Sequence, residues 1–274
     1  MKFAKYGSAT ILGLIIAGCG GGDSSSESPN QLSNASVCYN DDLSADSAQF
    51  TLDYSIRSQF AEDGEELQDL NTLEPSTYGF RVQNGTKTTF GSSSDATEIS
   101  VYAREEDSTG ALVEVADRDP DIEYVKFDND NKSSTYLGYQ ERSSSSVFEV
   151  FFLPTGIEDR FDLDTNEEFT QDTITERAFS NGEQLDGDGT IDQTTVFLGI
   201  ENIEVDGRNY QVCKIERKRT TTFPSLSSES TFVSYIGVGN GLTLKSTTDT
   251  RYDDGDSYRS IREVISASIN GKSI

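Results

Sequence analysis

Histidine and tryptophan are both absent from this chain of 274 residues. Without histidine there is no Ser-His-Asp triad, no Cys-His dyad and no histidine zinc site, because the commonest acid–base group and metal ligand is missing. Tryptophan is the ring best suited to stacking on a sugar; twelve tyrosines are what remains. G-x-S-x-G, G-x-G-x-x-G and P-loop patterns are missing too. Paired carboxylates could serve a glycosidase, but 48 acidic residues make pairs at any spacing a matter of chance. The expectation is a protein that is not an enzyme. Basic residues are also scarce, 22 against 48 acidic, for a net charge of −26. Nucleic acid and anionic lipid surfaces are poor partners for such a chain, cations and basic surfaces better ones.

Long apolar runs are lacking as well. The run from Ala9 to Ile16, broken by Thr10 and Gly13, is too short for a bilayer, which needs about 20 residues. Lys2 and Lys5 precede it and Ile16-Ala17-Gly18-Cys19 ends it. A charged start, a short apolar stretch and small residues before a cysteine resemble a bacterial lipoprotein signal with its lipobox. That resemblance implies cleavage after residue 18, a diacylglycerol on the Cys19 sulfur and an acylated (palmitate) amine. Several acyl chains hold far better than one. Gly20 stands where an aspartate commonly signals inner-membrane retention. The resemblance therefore implies the outer membrane with the body facing the periplasm, or the plasma membrane in a Gram-positive host.

Residues 19–36 are rich in glycine and serine and read as a lipidated cysteine followed by a flexible tether. Residues 37–274 are expected to form one β-rich domain. With Cys19 used by lipid, Cys38 and Cys213 form an even pair in an oxidising compartment, so a disulfide is expected between them. The chain-entropy model values such a long loop at roughly 5 kcal/mol. The alternative is two buried free thiols.

The body alternates with the period of strands. Phe50, Leu52, Tyr54 and Ile56 alternate with polar residues, as do Tyr78, Phe80 and Val82 and, at the end, Ile265, Ala267 and Ile269. Strand-like runs also surround Val101 and span 122–127, and 147–153 is nearly all apolar. One short helix is expected over 60–73. Asn-Gly or Asp-Gly occurs at positions 63, 84, 181, 186, 188, 206, 240, 254 and 270, supplying the positive φ that type I′ hairpin turns demand. A two-residue turn at Asp206-Gly207 pairs Val205 with Arg208, Ile203 with Tyr210 and Ile200 with Cys213. Leu198, Ile200, Cys213 and Ile215 are then expected on one core-facing side. The fold class is mainly β, an antiparallel meander curled into a barrel, a half-barrel or a sandwich.

Three segments of the last third run in order: Gly199-Ile200-Glu201 through Tyr210-Gln211-Val212-Cys213-Lys214, then Tyr235-Ile236-Gly237-Val238-Gly239, then Leu242-Thr243-Leu244-Lys245. Over about residues 194–270 this resembles a group of uncharacterised bacterial lipoproteins, with Asn240-Gly241 inserted where the group runs straight on. The resemblance implies a curved sheet like that of the Lol lipoprotein carriers, and hence a hydrophobic ligand in a concave face. Fold alone does not decide function.

One motif resembles the middle of an EF-hand loop. Asp186, Asp188 and Asp192 alternate around Gly187 and Gly189, but Gln184 and Thr195 stand at the first and twelfth positions, so the bidentate glutamate is missing. It reads either as a polar hairpin tip or as a weak Ca²⁺ site, the sole cofactor expectation. Asp128-Asn129-Asp130 and Asp162-Leu163-Asp164-Thr165-Asn166 are lesser acidic clusters of the same kind. Three functions stand: a tethered, non-catalytic module that binds an envelope partner or gives structural support, a carrier or chaperone for a hydrophobic ligand in a curved-sheet cavity, and a Ca²⁺-stabilised lipoprotein.

Overall fold

Alternation of apolar and polar side chains is expressed as strand after strand. The computed structural model describes residues 34–62, 65–116, 118–143 and 146–274; the lipobox with Cys19 and the tether up to residue 33 lie outside them. In chain order the strands are Gln49–Ala61 (β1), Ser76–Phe90 (β2), Ser93–Glu106 (β3), Leu112–Glu114 (β4), Asp121–Asp128 (β5) and Ser133–Arg142 (β6). Then come Val147–Leu153 (β7), Ile157–Arg160 (β8), Glu168–Thr170 (β9), Ile174–Ser180 (β10), Glu183–Gln184 (β11) and Gly189–Val205 (β12). Arg208–Phe223 (β13), Leu226–Gly237 (β14), Thr243–Tyr252 (β15), Ser257–Ile269 (β16) and Lys272–Ser273 (β17) complete the series.

Twelve of them form a closed antiparallel barrel, so the meander is neither a half-barrel nor a sandwich. Around the wall, β1, β2, β3, β5, β6, β7, β10, β12, β13, β14, β15 and β16 follow one another in chain order. The last returns to the first along a ladder from Phe50 opposite Ile269 to Ala61 opposite Ser257. The other five strands are short and lie against this wall. Beyond Leu153 the place beside β6 is taken by β8, along 133–136, while β9 pairs with β12 at 194–196.

Three Asn/Asp-Gly pairs make the two-residue turns expected of them: Asn181-Gly182, Asp206-Gly207 and Asn270-Gly271 have positive φ at both positions. Asn84-Gly85 does not. It lies inside β2, and the Asn84 side chain, 1% exposed, donates to the carbonyls of Leu43 and Ala45 at 2.6 and 3.2 Å. The turn to β3 comes later, between Phe90 and Ser93. The helix expected over 60–73 is also corrected. Phe60 continues the alternation of β1 opposite Tyr258, and among the described residues that follow up to 73 only one short 3-10 turn, Leu70–Thr72, is formed.

The hairpin at Asp206-Gly207 pairs as the turn dictates, Val205 with Arg208, Ile203 with Tyr210 and Ile200 with Cys213. Beyond that the reading by period fails. Phe197 lies opposite Ile215 and Gly199 opposite Lys214, so Leu198 is an extra residue in a β-bulge. Leu198 turns outward, 37% exposed, and Phe197 occupies the core, 0% exposed. The same happens to Ile265. Asp53 pairs with Ser266 but Tyr54 with Val264, and Val264 takes the inner position. One inserted residue moves every later side chain to the other face.

Residues 35–48 close one end of the barrel. Ala35, Cys38, Tyr39 and Leu43 are buried there, and a disulfide joins Cys38 to Cys213 with Cα atoms 6.1 Å apart. Apolar clusters fill the adjoining interior, one around Phe50, Leu52, Val82 and Leu244, another around Phe161, Phe197, Ile215 and Ile236. The outer wall carries charge. On it Asp53 pairs with Arg104 and accepts from Ser266 Oγ at 2.6 Å. That pair spans Gly79, where any Cβ would collide with Asp53 Oδ1.

Replacing Phe197 with Ala is expected to cost about 3–5 kcal/mol in urea unfolding, and replacing Leu198 with Ala under about 1 kcal/mol. Equal costs would remove the bulge. Thiol titration of the denatured chain is expected to detect Cys38 and Cys213 only after reduction; two thiols without reductant would contradict the bridge.

Candidate functional site in the barrel interior

Carrying the alternation of β13 past the disulfide leads to the site. Cys213 and Ile215 face inward, so Arg217 and Arg219 do as well, and both are buried. Across the ladder they face Thr195 and Gln193 of β12, 0% and 4% exposed. A buried guanidinium is costly unless it is paired or hydrogen-bonded. Arg217 Nε donates to Asp159 Oδ1 at 2.5 Å, a carboxylate brought in by β8, and Nη1 donates to Ser234 Oγ at 3.3 Å. Arg219 sends both Nε and Nη2 to Gln193 Oε1, at 3.1 and 2.6 Å, and lies 5.3 Å from the centre of the Phe232 ring.

A third arginine enters from β16. Arg262 Nε donates to Ser246 Oγ at 3.2 Å and Nη1 to Tyr78 Oη at 3.3 Å, with its guanidinium 4.7 Å over the Tyr54 ring. Ser234 and Ser246 are directly opposed on β14 and β15. A polar belt therefore runs across the inner wall from Asp159 to Tyr78.

Glu123, Tyr136 and Glu176 add to this group from β5, β6 and β10. Burial, with repulsion from Asp121, pushes the Glu123 carboxyl up to about 8, so at pH 7 it is mostly protonated and can donate. Glu176 is raised by burial, against the pull of Arg219. Burial lowers Arg219 to about 10, which leaves it charged at pH 7. Five atoms of the group, Arg217 Nη2, Gln193 Nε2, Thr195 Oγ1, Tyr136 Oη and Glu123 Oε1, are sealed from solvent and have no hydrogen-bond partner among the described residues. An unsatisfied buried group costs about 1–3 kcal/mol. Four of the five belong to groups that donate at pH 7 whatever the state of Glu123. Such an arrangement binds acceptors.

The sites expected from sequence lie elsewhere. Asp186, Asp188 and Asp192 are not gathered around a point. Asp188 is held by Arg177, at 2.6 Å from Nη2, and by Gln184, and Asp192 accepts from Thr173 at 2.5 Å. Among the described residues no group of three acidic or cysteine side chains is placed to hold a metal ion. Gly189 opens a strand, so the backbone is extended from there through Asp192. In the lesser clusters, Asp128 accepts from Asn131, Asn129 from Tyr39, Asp162 from Arg160 and Asp164 from Asn34. Cys19 lies outside the described residues. The arginine site had a sequence signal, since Arg217 and Arg219 keep the parity of Cys213 and Ile215. What faces them from β5, β6 and β8 had none.

No family model and no curated protein matches this chain. Among solved structures it is similar to a proposed lipoprotein of Parabacteroides distasonis, with 9% identity and a TM-score of 0.40 over 82% of this chain and 96% of the other. It is also similar to the hypothetical lipoprotein YmcC of Escherichia coli, with 10% identity and a TM-score of 0.29 over 77% and 86%. Likeness at this level carries no argument about function here.

The raised Glu123 pKa has a stability consequence. Between the ordinary carboxyl value near 4.5 and about 8, the folded chain holds a proton that the unfolded chain has lost. Its contribution therefore falls as pH rises through that window. Glu123→Gln mimics the protonated form. It is expected to match the parent in Tm at pH 5 and to exceed it by on the order of 10 °C at pH 8.5, followed by circular dichroism. A difference independent of pH would contradict a raised pKa.

Proposed function

We propose that this protein is a lipid-anchored module of the bacterial envelope that binds a small solute inside its barrel without transforming it. The observation that carries this reading is the buried, donor-rich group around Arg217 and Arg219 inside a closed wall. Anchoring rests on the sequence at Cys19 and its resemblance to a lipobox. The wall itself supports a water-facing body. Outward positions carry Asp53 and Arg104, Lys245 and Glu263, and Asp249 and Arg259 in ion pairs, where a membrane-spanning barrel presents an apolar band. The non-catalytic reading is supported by what the interior offers: arginines, amide and hydroxyl donors with their carboxylates raised or paired. The outer membrane, with the body in the periplasm, is the location this reading favours.

A hydrophobic ligand is the second reading, and one observation favours a place for it. A groove of about 600 Å³ lies on the outer wall between the β2–β3 turn and the end of β7, lined by Phe90, Leu137, Phe151 and Pro154. It is shallow and half polar, with Ser93, Asp95 and Lys126 at its side. The interior is the better-built site.

In cells fed labelled palmitate, the parent chain is expected to take up label and partition into membranes, and Cys19→Ser to do neither. An unlabelled parent in the soluble fraction would overturn the anchor.

A further inference from the structure

Three buried guanidinium groups face the interior of this acidic chain, beside the carboxyl groups of Asp159, Glu123 and Glu176. Of 22 basic residues, set against 48 acidic ones, three arginines point into the barrel. Among the described residues, only Arg217 of the three forms an ion pair with a carboxylate, that of Asp159. Arg219 has both its hydrogen bonds on one amide oxygen, and Arg262 is held by two hydroxyls and an aromatic face. Next to these charges sit the unpartnered donors of Arg217, Gln193, Thr195 and Tyr136. The pairs Thr195 with Arg217 and Gln193 with Arg219 are neighbours on one ladder, so these groups converge on one region.

We infer that this region binds an oxyanion, the carboxylate or phosphate group of a small ligand, between Arg217 and Arg219. Gln193, Thr195 and Tyr136 supply further hydrogen bonds. Each alternative leaves something unmet. A metal cation is repelled by the guanidinium groups, and the nearest carboxylate, that of Asp159, is already held by Arg217. An apolar molecule buries those donors for good. A neutral alcohol or sugar pairs with some donors but brings no charge to Arg219, which among the described residues has no carboxylate in direct contact and only Glu176 and the Arg217-bound Asp159 near it. An oxyanion offers several acceptor oxygens with negative charge, and the planar guanidinium matches carboxylate and phosphate alike. Apolar side chains border the region, Ile174, Ile191, Phe152 and Phe232, so the rest of the ligand can be hydrocarbon. Entry is expected from the end away from residues 35–48. There Ser230 and Tyr258, on the inward side of β14 and β16, are partly exposed, and Ser58 of β1 is exposed.

This inference deepens the reading of the interior as a binding site by naming the class of solute. It does not depend on the anchor, and the palmitate experiment tests that separately. The test is calorimetric titration of the purified full-length protein in detergent with inorganic phosphate and, separately, with octanoate, against chloride of equal ionic strength. At least one probe is expected to bind with a Kd of ~1 mM or tighter and to raise Tm. Phosphate alone would point to a phosphorylated ligand, octanoate alone to a fatty or organic acid. Arg219→Gln is expected to weaken binding at least ~10-fold, whereas Lys218→Gln, on the outer face of the same strand, leaves it unchanged. Should Arg219→Gln not fold, Thr195→Val removes one donor at nearly constant volume and is expected to weaken binding about fivefold. No binding of either probe below 10 mM (a rough ceiling for a built site), or binding untouched by every interior variant that folds, would overturn the inference.

Discussion

Everything in this molecule depends on the return of β16 to β1. A sheet of this length with two free edges would expose unpaired N–H and C=O groups along both, and each edge would invite another strand. The ladder from Phe50–Ile269 to Ala61–Ser257 removes both edges at once. Closure also gives meaning to parity. In an open sheet the two faces are solvent and core by accident of packing; in a barrel one face has no route outward except through the ends. Phe50, Leu52 and Tyr54 on β1 and Cys213, Ile215, Arg217 and Arg219 on β13 are thereby committed to the interior, whatever their chemistry.

That commitment explains the division of the interior. Near the end closed by residues 35–48, inward positions are apolar and pack into clusters around Phe50 and Phe197. Further along the same strands the inward positions become Arg217, Arg219, Gln193, Glu176 and Arg262. A low-dielectric surrounding strengthens every charge interaction there and raises the cost of every unmade bond. Asp159, delivered by β8, compensates one guanidinium, and burial holds Glu123 mostly neutral at pH 7. The short strands β8 and β9, which interrupt the regular wall, also tie the disulfide end to the polar belt.

Bulges adjust the wall locally without breaking it. At Leu198 and at Ile265 one extra residue is turned aside, and the ladder resumes with its parity reversed. Both lie beside partners that must face inward, Ile215 and Tyr54. The reversal is what keeps Phe197 and Val264 in the core. Counting by twos cannot detect such an insertion. It therefore misplaced Leu198 and Ile265 while reading the neighbouring hairpin turn correctly, because Asp206-Gly207 is a local signal and a bulge is a response to the partner strand.

Local chemistry was legible in the sequence. Alternation specified strands, Asn-Gly and Asp-Gly pairs specified three tight turns, and the even pair Cys38 and Cys213 anticipated the bridge that the fold contains. The inward parity of Arg217 and Arg219 was also there to be read, from the position of Cys213. Only the tertiary structure decided that the meander closes, that Asn84-Gly85 runs through a strand, that Phe60 and Ala61 finish β1 where a helix was expected to begin, and that Asp188 and Asp192 take Arg177 and Thr173 as partners. It alone brought Glu123, Tyr136 and Asp159 to the arginines of β13. The physical reason is separation along the chain. A turn or a strand is governed by neighbours a few residues away, whereas a buried charge is governed by what distant strands place beside it once water has been excluded.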